Sequence, residues 1–475
     1  MFRALNRLPG LSGSDFSAKL RIRNGGADEQ LVTLDGLELI EPYHLKGFDG
    51  ALSMLDGESI GRVSVTTGGF TAASGNRLAG LLQLESATPS TTRSRAAVGL
   101  SLSNLRARTE GTFAGGRGSW LASGRRGYLD VLFKLLRETN PPDPSYSDVF
   151  GKVQYQLGHG HVATIEGLVA SDRLSLEDGG FIRSNYGNRY LWGMLRTPIT
   201  ARAFATTMVS FSNLSWNRDG VDEQRLLSQP FERVRIADRR TLNVSSLKQH
   251  LTVDISDRVS LFGGLEMRGE MAAYAYSRVE KERAMVSRAV VVLDSTNVSA
   301  TLHPHGTRAS GYVSLRLRPT SPVTTELGVR ADRHTWTDQL TVAPRANVAW
   351  NIGARTILRG AWGHYYQAHA LQDLSVVDGD TAFVRAETGR TSRARCGVRR
   401  GARMDDAPGG IRTTHHIAAR QICQRGRHAR RVPGKRAGSG AFRPDKRPGA
   451  RRGTARALRR RWPYSWWCRA RALTR

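Results

Sequence analysis

From Ser94 to about Tyr366, apolar side chains alternate with polar or charged ones. In the segment 259–268, Val259, Leu261, Leu265 and Met267 share one set of alternate positions, and Glu266 and Arg268 belong to the other. The same period of two recurs at 98–102, 313–318 and 326–332. Successive side chains of a strand point to opposite faces, so these strands have one apolar and one charged face. The pattern predicts either a soluble sheet whose charged face meets water or a barrel whose apolar face meets lipid.

Strand length and connection length favour the barrel. Many alternating segments have about ten residues or more, as a tilted membrane-crossing strand requires, whereas soluble strands average about five or six. Short turns are predicted near 115–118, 158–160, 197–201, 256–257, 319–322 and 351–354, and long connections near 128–145, 175–185, 218–238 and 279–307. Short turns at one end and long loops at the other are typical of outer-membrane barrels.

Aromatic residues and one helical segment add detail to this barrel. Several aromatic residues stand toward the ends of predicted strands, where they could form interface girdles: Trp120, Trp192, Trp216, Tyr274, Tyr276, Trp336, Trp350 and Trp362. Within the first long connection, 128–138 places Leu129, Leu132, Phe133 and Leu136 on one helical face. We expect a short amphipathic helix that packs onto the barrel rim.

Residues 1–87 show a different, mixed pattern that predicts a small α/β domain. Asp35-Gly36 separates two apolar segments and predicts a hairpin. Helices are predicted at 2–8 and 50–55, and strands at 16–23, 31–34, 37–40 and 60–66. His44 follows Pro42-Tyr43 in a loop, where we expect it to form local hydrogen bonds rather than to bind a metal.

Two glycine-rich blocks, 21–36 and 65–85, frame this domain, and together they resemble the plug domain of TonB-dependent outer-membrane receptors. The residues that match the plug motifs are Arg23, Gly25, Gly26, Leu34, Asp35, Gly36, Pro42, Gly68, Gly69, Gly75, Leu78 and Gly80. Asn24 departs from the usual Gly of this pattern, although Asn tolerates left-handed backbone angles. Ser74 departs from a common aromatic. These residues are expected to specify the plug's fold rather than chemistry.

The resemblance implies a plug at 1–87 without its N-terminal part and a partial outer-membrane β-barrel at 88–387. We expect about thirteen strands ending near Tyr366, whereas a plugged transporter barrel has about 22. Residues 1–20 contain no continuous apolar core, so no signal peptide is predicted, and the segment that contacts TonB is expected to be missing. The chain is therefore expected to be an incomplete and non-functional relative of these receptors.

Intact members of the family bind a scarce nutrient at the outer face and admit it when TonB pulls on the plug. Their ligands include ferric siderophores, haem, cobalamin and carbohydrates, and nothing in this sequence selects among them. Arg and Glu side chains facing the lumen are expected to hydrogen-bond to the plug. No catalytic, cofactor-binding or metal-ligating residue is nominated, because the body contains no nucleotide-binding loop, nucleophile elbow or zinc-protease motif. An enzyme is not expected.

The formal charge of +30 would suggest a nucleic-acid partner, but most of it lies in the tail. Residues 388–475 contain 24 Arg and 2 Lys against 3 Asp, which leaves the body only weakly basic. Alternation stops after Glu387, as it would if a GC-rich gene were translated out of frame. A genuine basic tail and a separate small domain remain the alternatives. The competing function is a nucleic-acid-associated protein acting through this tail.

The tail also contains all three cysteines, Cys396, Cys423 and Cys468. Cys396, His415, His416 and Cys423 superficially suggest metal ligands, but their spacing matches no zinc pattern. Trp462, Trp466 and Trp467 could stack on bases, although nothing else supports that role. A third hypothesis is a soluble β-rich binding module, which requires a second layer covering the apolar strand faces.

Overall fold

The computed structural model describes residues 5–6, 10–14, 17–23, 25–89, 93–135, 142–177, 180–224, 231–286, 289–353, 356–399 and 416–418. The chain divides into one compact unit, Met1–Gln421, and a second unit, Ile422–Arg475, that lies outside the described residues. The first unit contains both the plug and the barrel wall.

The plug consists of short strands around a mixed sheet. Its described strands are β1 (Leu11–Ser12), β2 (Arg21–Ile22), β3 (Gln30–Leu34), β4 (Leu37–Glu38), β5 (Tyr43–His44), β6 (Leu52–Ser53), β7 (Ile60–Thr66) and β8 (Gly80–Ser86). The main sheet has the order β4-β3-β8-β7, and β1 pairs with β2 and β5 with β6 in two smaller sheets. Single 3-10 turns occupy Lys46–Phe48 and Gly57–Ser59.

The two glycine-rich blocks meet in this sheet. Strand β3 of the first block pairs in parallel with β8 of the second, with Gln30 opposite Gly80 and Leu34 opposite Leu84. A Cβ atom at Gly80 would lie only 2.5 Å from the carbonyl oxygen of Thr66, so the second block requires a glycine where β7 and β8 meet. The predicted hairpin at Asp35-Gly36 is confirmed, and both residues have positive φ.

Three sequence predictions for the plug need comment. The helix predicted at 50–55 is wrong, because Asp49 and Gly50 adopt left-handed angles and Leu52–Ser53 pairs with β5 instead. Of the strand predicted at 16–23, only Arg21–Ile22 forms. Most of the helix predicted at 2–8, and Asn24, lie outside the described residues.

The wall of the barrel is one antiparallel sheet. Its strands are β9 (Arg95–Leu100), β10 (Asn104–Phe113), β11 (Gly118–Gly127), β12 (Ser145–Gly158), β13 (His161–Glu177), β14 (Phe181–Thr200), β15 (Ala203–Gln224), β16 (Phe231–Ser256), β17 (Val259–Val286), β18 (Ala289–Leu302), β19 (His305–Thr320), β20 (Val323–His334), β21 (Gln339–Asn351), β22 (Thr356–Gln367), β23 (Glu387–Arg399) and β24 (His416–Ala418). Each strand pairs with its neighbour in sequence, with one exception. Strand β17 pairs with β18 along its last part and with β19 along its first part, and within the described residues β18 does not pair with β19. The thirteen predicted strands correspond to β9–β17 and β19–β22.

The connections differ from their prediction at one end of the wall. The short turns are confirmed within the described residues, including one at 159–160 and one at 257–258, whereas the turn predicted at 351–354 lies partly outside them. Three of the long connections are instead extensions of paired strands, and in the one predicted at 218–238 strands β15 and β16 stay paired out to Gln224 opposite Glu232. Strands β13 and β14 stay paired out to Glu177 and Phe181, and β17 continues to Val286, where it pairs with β18. Backbone pairing satisfies the hydrogen-bonding groups of these segments, so they form ribbons rather than loops.

The remaining long connection contains the expected helix, α1 (Leu129–Leu135). Leu129, Leu132 and Phe133 are half-buried on one side of it, in agreement with the predicted amphipathic face. No helix among the described residues is long and apolar enough to cross a membrane.

Burial along the wall is the reverse of that in a soluble sheet. On β14, Leu191 is 54% exposed, whereas its neighbours Tyr190 and Trp192 are 3% and 1% exposed. On β17, Leu265 and Met267 are exposed while Arg268 is buried. The outward face is therefore apolar and the inward face carries the polar and charged groups, which excludes a soluble module with covered apolar faces over these described strands.

The aromatic girdle prediction is wrong for several residues. Trp192, Tyr274 and Tyr276 are buried on the inward face, and the indole Nε1 of Trp216 donates to Glu41 of the plug at 3.3 Å. Trp350 is 46% exposed beside the turn after β21, in agreement with an interface position. Alternation alone could not assign these rings to a face, because the inner face also takes large side chains where it packs on the plug.

Strand β23 crosses the boundary predicted at residue 387. It pairs with β22 from Glu387 opposite Gln367 to Val398 opposite Thr356, so backbone pairing continues into the segment predicted as tail. The out-of-frame origin of 388–475, its alternatives and its nucleic-acid role stay predictions. His415, Cys423, Cys468 and the three tail tryptophans lie outside the described residues.

We expect Gly69→Ala to loosen the plug. Gly69 has φ +70, and a Cβ there would lie 2.6 Å from the Cβ of Ala361 on β22. The left-handed backbone costs about 1–2 kcal/mol for an L-residue, and the overpacked contact adds about 1–3 kcal/mol. Pulse proteolysis in urea, read on peptides from 25–89, measures this loss.

The matched control is Gly116→Ala, since Gly116 has φ +88 but no atom within 4 Å of its added Cβ. Gly116 lies in the turn between β10 and β11 of the wall, so an alanine there has similar backbone strain but adds no contact between plug and wall. Equal effects of the two substitutions on the plug peptides would contradict close packing of Gly69 on the wall.

Candidate functional site: the plug–wall interface

Wall strands at intervals from β10 to β22 send polar side chains inward to the plug, so the wall curves around it. Their contacts fall into separate clusters, each joining a short plug segment to two or three neighbouring wall strands. Since antiparallel neighbours place directly opposed residues on the same face, charges opposite each other in register reach the same plug group.

The first cluster surrounds Glu38 at the end of β4. Its carboxylate accepts hydrogen bonds from Arg77 of the plug and Arg268 of β17, and Arg308 of β19 lies 3.8 Å away. Arg268 and Arg308 are opposite each other in register and are 6% and 5% exposed. Burial alone would raise the pKa of Glu38, but the three guanidinium groups outweigh it and hold that pKa well below its usual range.

Two further carboxylates on β17 complete this cluster. Glu270 lies 2.7 Å from Nε of Arg268, and Glu266 lies 3.4 Å from Arg308. Charged side chains buried at this depth are stable only when paired. The carboxylates of the wall therefore balance most of the charge of the wall arginines, and Glu38 links the paired strands β17 and β19 to the plug.

The second cluster links the plug hairpin to β12 and β13. Lys152 donates to Ser86 Oγ at 2.8 Å, and its Nζ lies 3.5 Å from Asp35 and 3.2 Å from Glu166. Lys152 and Glu166 are opposite each other in register. Asp35, one of the plug-motif residues, also accepts a hydrogen bond from the Ser86 amide at 3.0 Å. The motif aspartate thus has a role in docking as well as in the turn.

The third cluster binds the plug loop 70–75 through arginines of the wall. Arg345 of β21 donates to the carbonyl oxygens of Thr71 and Ser74 and lies 4.9 Å from the ring centroid of Phe70. At Gly75, an added Cβ would lie 2.1 Å from Nε of Arg330. The small residues of this loop let the arginines approach its backbone, which explains why a glycine is needed at Gly75.

The fourth cluster is built around His44. This residue is 1% exposed, and its Nε2 lies 3.0 Å from Asp148 of β12 while its Nδ1 contacts Asp172 of β13. Arg125 of β11 also donates to Asp148, at 2.8 Å. The prediction of a local hydrogen-bonding role for His44 is wrong, because its partners are more than a hundred residues away in sequence.

A cavity of about 180 Å³ lies between the plug sheet and β15–β20. Its polar lining includes Glu38, Arg77, Lys248, Glu266, Arg308 and Arg330. Nε of Arg308 is buried without a hydrogen-bond partner among the described residues. The cavity therefore offers a polar surface that can exchange hydrogen bonds with water or with a polar solute.

The connection between β22 and β23 covers one end of the plug. Leu371, Leu374 and Val376 are buried, and the hydroxyl of Tyr274 bonds to the backbone of both Leu371 and Leu374. The amide of Ala368 donates to Asn76 of the plug at 2.8 Å. This segment therefore packs on both the plug and the wall.

Sequence reasoning predicted that lumenal arginines and glutamates hydrogen-bond to the plug, and this is confirmed for Arg268, which donates to Glu38. It did not identify Lys152, Arg345 or the aspartates around His44. Among the described residues, no group of three or more His, Cys, Asp or Glu side chains is arranged to hold a metal ion.

We expect Glu38→Gln to destabilise the docked plug by about 3 kcal/mol, because it removes one of the three buried carboxylates that balance Arg77, Arg268 and Arg308. Since the pKa of Glu38 is lowered, its contribution is present above its unfolded value near 4.5 and is lost as pH falls toward the folded value. Urea unfolding in detergent, followed by tryptophan fluorescence, measures both effects.

Glu85→Gln provides the control, because Glu85 and its partner Arg62 are 57% and 68% exposed. Its effect should stay within about 1 kcal/mol. If the two substitutions cost the same, the Glu38 cluster does not hold the plug.

Comparison with known proteins places the fold. No family model and no curated protein matches the chain. Solved structures do match: a variant of the ferric enterobactin receptor PfeA of Pseudomonas aeruginosa has a TM-score of 0.57 at 12% identity, over 84% of this chain and 66% of that one. The siderophore receptor PirA of Pseudomonas aeruginosa has a TM-score of 0.57 at 13% identity, over 84% and 69%.

The unliganded ferric citrate transporter FecA has a TM-score of 0.58 at 15% identity, over 85% of this chain and 65% of its own. The chain thus spans about two thirds of the lengths of these three proteins. At such identities the similarity concerns the fold. The chain has the plug-and-barrel fold of the TonB-dependent outer-membrane receptors that its glycine motifs resemble.

Proposed function

We propose that this chain belongs to a receptor of the outer membrane that takes up a scarce nutrient such as a metal chelate. The observation that carries the proposal is the inverted wall, apolar outside and charged inside, with a plug held in its lumen. A wall of this kind suits a lipid surround and a polar solute path. The matching proteins named for ferric enterobactin, siderophores and ferric citrate support a chelate as the nutrient.

The exposed apolar positions support a membrane location. Residues such as Ile165, Leu191, Phe211, Leu247 and Leu265 are each more than half exposed on successive wall strands. Contiguous apolar surface of this extent is rare on soluble monomers and marks contact with a partner or a membrane. These residues occupy alternate positions of their strands and point outward, which suits a wall with lipid on its outer side.

Passage of a solute requires the plug to shift. Binding sites for small ligands typically have about 300–1,000 Å³, which exceeds the cavity beside the plug. The plug is held by apolar packing together with hydrogen bonds and ion pairs, and the polar contacts can be replaced by water as it moves. By resemblance, TonB on the far side of the membrane supplies the pull. We infer no enzymatic step, and no cofactor enters this proposal.

A disulfide between plug and wall tests this function. Ser59 of the plug donates a hydrogen bond to Ser123 of β11 at 2.7 Å, so Ser59→Cys with Ser123→Cys places two thiols in contact. With Cys396, Cys423 and Cys468 replaced by Ser, cells carrying this pair should lose uptake of iron-55 supplied as ferric citrate or ferric enterobactin. Reduction should restore it.

The two single-cysteine variants serve as controls and should transport as well as the parent in either redox state. Cells that carry the parent and accumulate no more iron-55 than receptor-free cells would contradict uptake of these chelates and would match the expectation of a non-functional relative. Equal uptake by the oxidised pair and the parent would show that the plug need not move.

A further inference from the structure

The hydrogen bonds of His44 specify its protonation state. Both ring nitrogens contact carboxylate oxygens, Nε2 with Asp148 and Nδ1 with Asp172. An ionised carboxylate can only accept hydrogen bonds, so both nitrogens must donate. A neutral imidazole carries one N–H and would turn a lone pair toward one of the two aspartates. The geometry therefore requires the imidazolium cation.

Charge balance leads to the same conclusion. The groups that face His44 are Asp148 and Tyr146 on β12, Asp172 on β13 and Arg125 on β11. Two carboxylates are neutralised by the guanidinium and the imidazolium. With a neutral His44 the cluster would retain an uncompensated negative charge, although His44, Asp148 and Asp172 are all less than 8% exposed.

The groups around His44 raise its pKa, which agrees with a protonated ring. Burial by itself lowers the pKa of His44, but the hydrogen bonds and charges of Asp148 and Asp172 outweigh it and raise that pKa above its ordinary value. Docking of the plug therefore favours the protonated form of His44.

This cluster lies across the plug–wall interface. His44 belongs to plug strand β5, and both aspartates belong to the wall. The amide of Leu45 donates to Asp172 at 2.7 Å, and Arg125 donates to the carbonyl oxygen of Ser53 at 2.6 Å. Separating the plug from the wall breaks every one of these bonds and exposes His44 to water, where its pKa returns to about 6.5.

We propose that His44 is a proton-dependent latch: the imidazolium clamps the plug to Asp148 and Asp172, and displacement of the plug releases this proton to water. The step converts imidazolium and two docked carboxylates into neutral imidazole, two hydrated carboxylates and one hydrated proton. The latch stands on the geometry alone, whereas its use during uptake rests on the proposed function.

The dependence on pH follows from the raised affinity for the proton. A group that binds its proton more tightly in the docked state stabilises that state fully below its undocked pKa, about 6.5. This stabilisation is lost as pH rises through the docked value. The plug should therefore be held firmly at pH 6 and loosen under alkaline conditions, by up to about tenfold in its docking equilibrium per pH unit.

The test uses the full chain in detergent micelles and measures release of the plug by pulse proteolysis in urea, read on peptides from 25–89, between pH 6 and 9.5. We expect the midpoint for the unmodified chain to fall with rising pH. His44→Gln should release the plug at lower urea at pH 6 and remove most of the slope. His303→Gln, at an exposed connection residue, should match the unmodified chain.

A second measurement counts the protons. Urea-induced release at pH 7.5 in weak buffer with an indicator dye should liberate about one more proton from the unmodified chain than from His44→Gln. Asp172→Asn, which keeps the shape of the cluster, should move the alkaline loosening to lower pH and serves if His44→Gln does not fold. A midpoint for the unmodified chain that does not fall with pH, or equal proton release, would overturn the latch. Neither readout requires transport, so failure of uptake leaves this result intact.

Discussion

Pairing of buried charge is the constraint on which this structure depends. The wall turns its charged face inward, and the plug provides the partners that water provides in an open pore. Glu38 joins Arg268 and Arg308, Lys152 joins Asp35, and His44 joins the two aspartates. An unpaired charge at this depth would cost several kcal/mol, so plug and wall must be complementary group by group.

The glycines have a second role under the same constraint. Gly69 and Gly75 lie where wall residues meet the plug backbone, and a Cβ at either would collide with Ala361 or Arg330. Turn geometry alone would explain a glycine at Gly69, whose φ is positive, but not at Gly75. Close approach lets the backbone carbonyl groups of the plug loop satisfy buried guanidinium groups. Contacts with the wall therefore constrain the plug sequence as much as the plug's own sheet does.

These contacts are strong in place yet exchangeable with water, a combination that suits the plug movement we propose. Apolar packing, as between Leu34 of the plug and Leu168 of the wall, holds the interior together without directional preference. The polar clusters add position and, at His44, a dependence on a proton. Docking is thus sensitive to pH at the His44 cluster.

Periodicity and turn chemistry predicted the wall strands, the short turns, the hairpin at Asp35 and the plug's strand at 60–66, because these depend on residues close in sequence. The glycine blocks likewise indicated the plug. Three features depended on tertiary structure: the face on which Trp192 lies, the strand at Leu52–Ser53, and the partners of His44. Each is decided by groups distant in sequence, since Asp172 reaches His44 only after the wall has curved around the plug. Sequence alone determined that the charged faces needed partners, and the fold decided which partners they found.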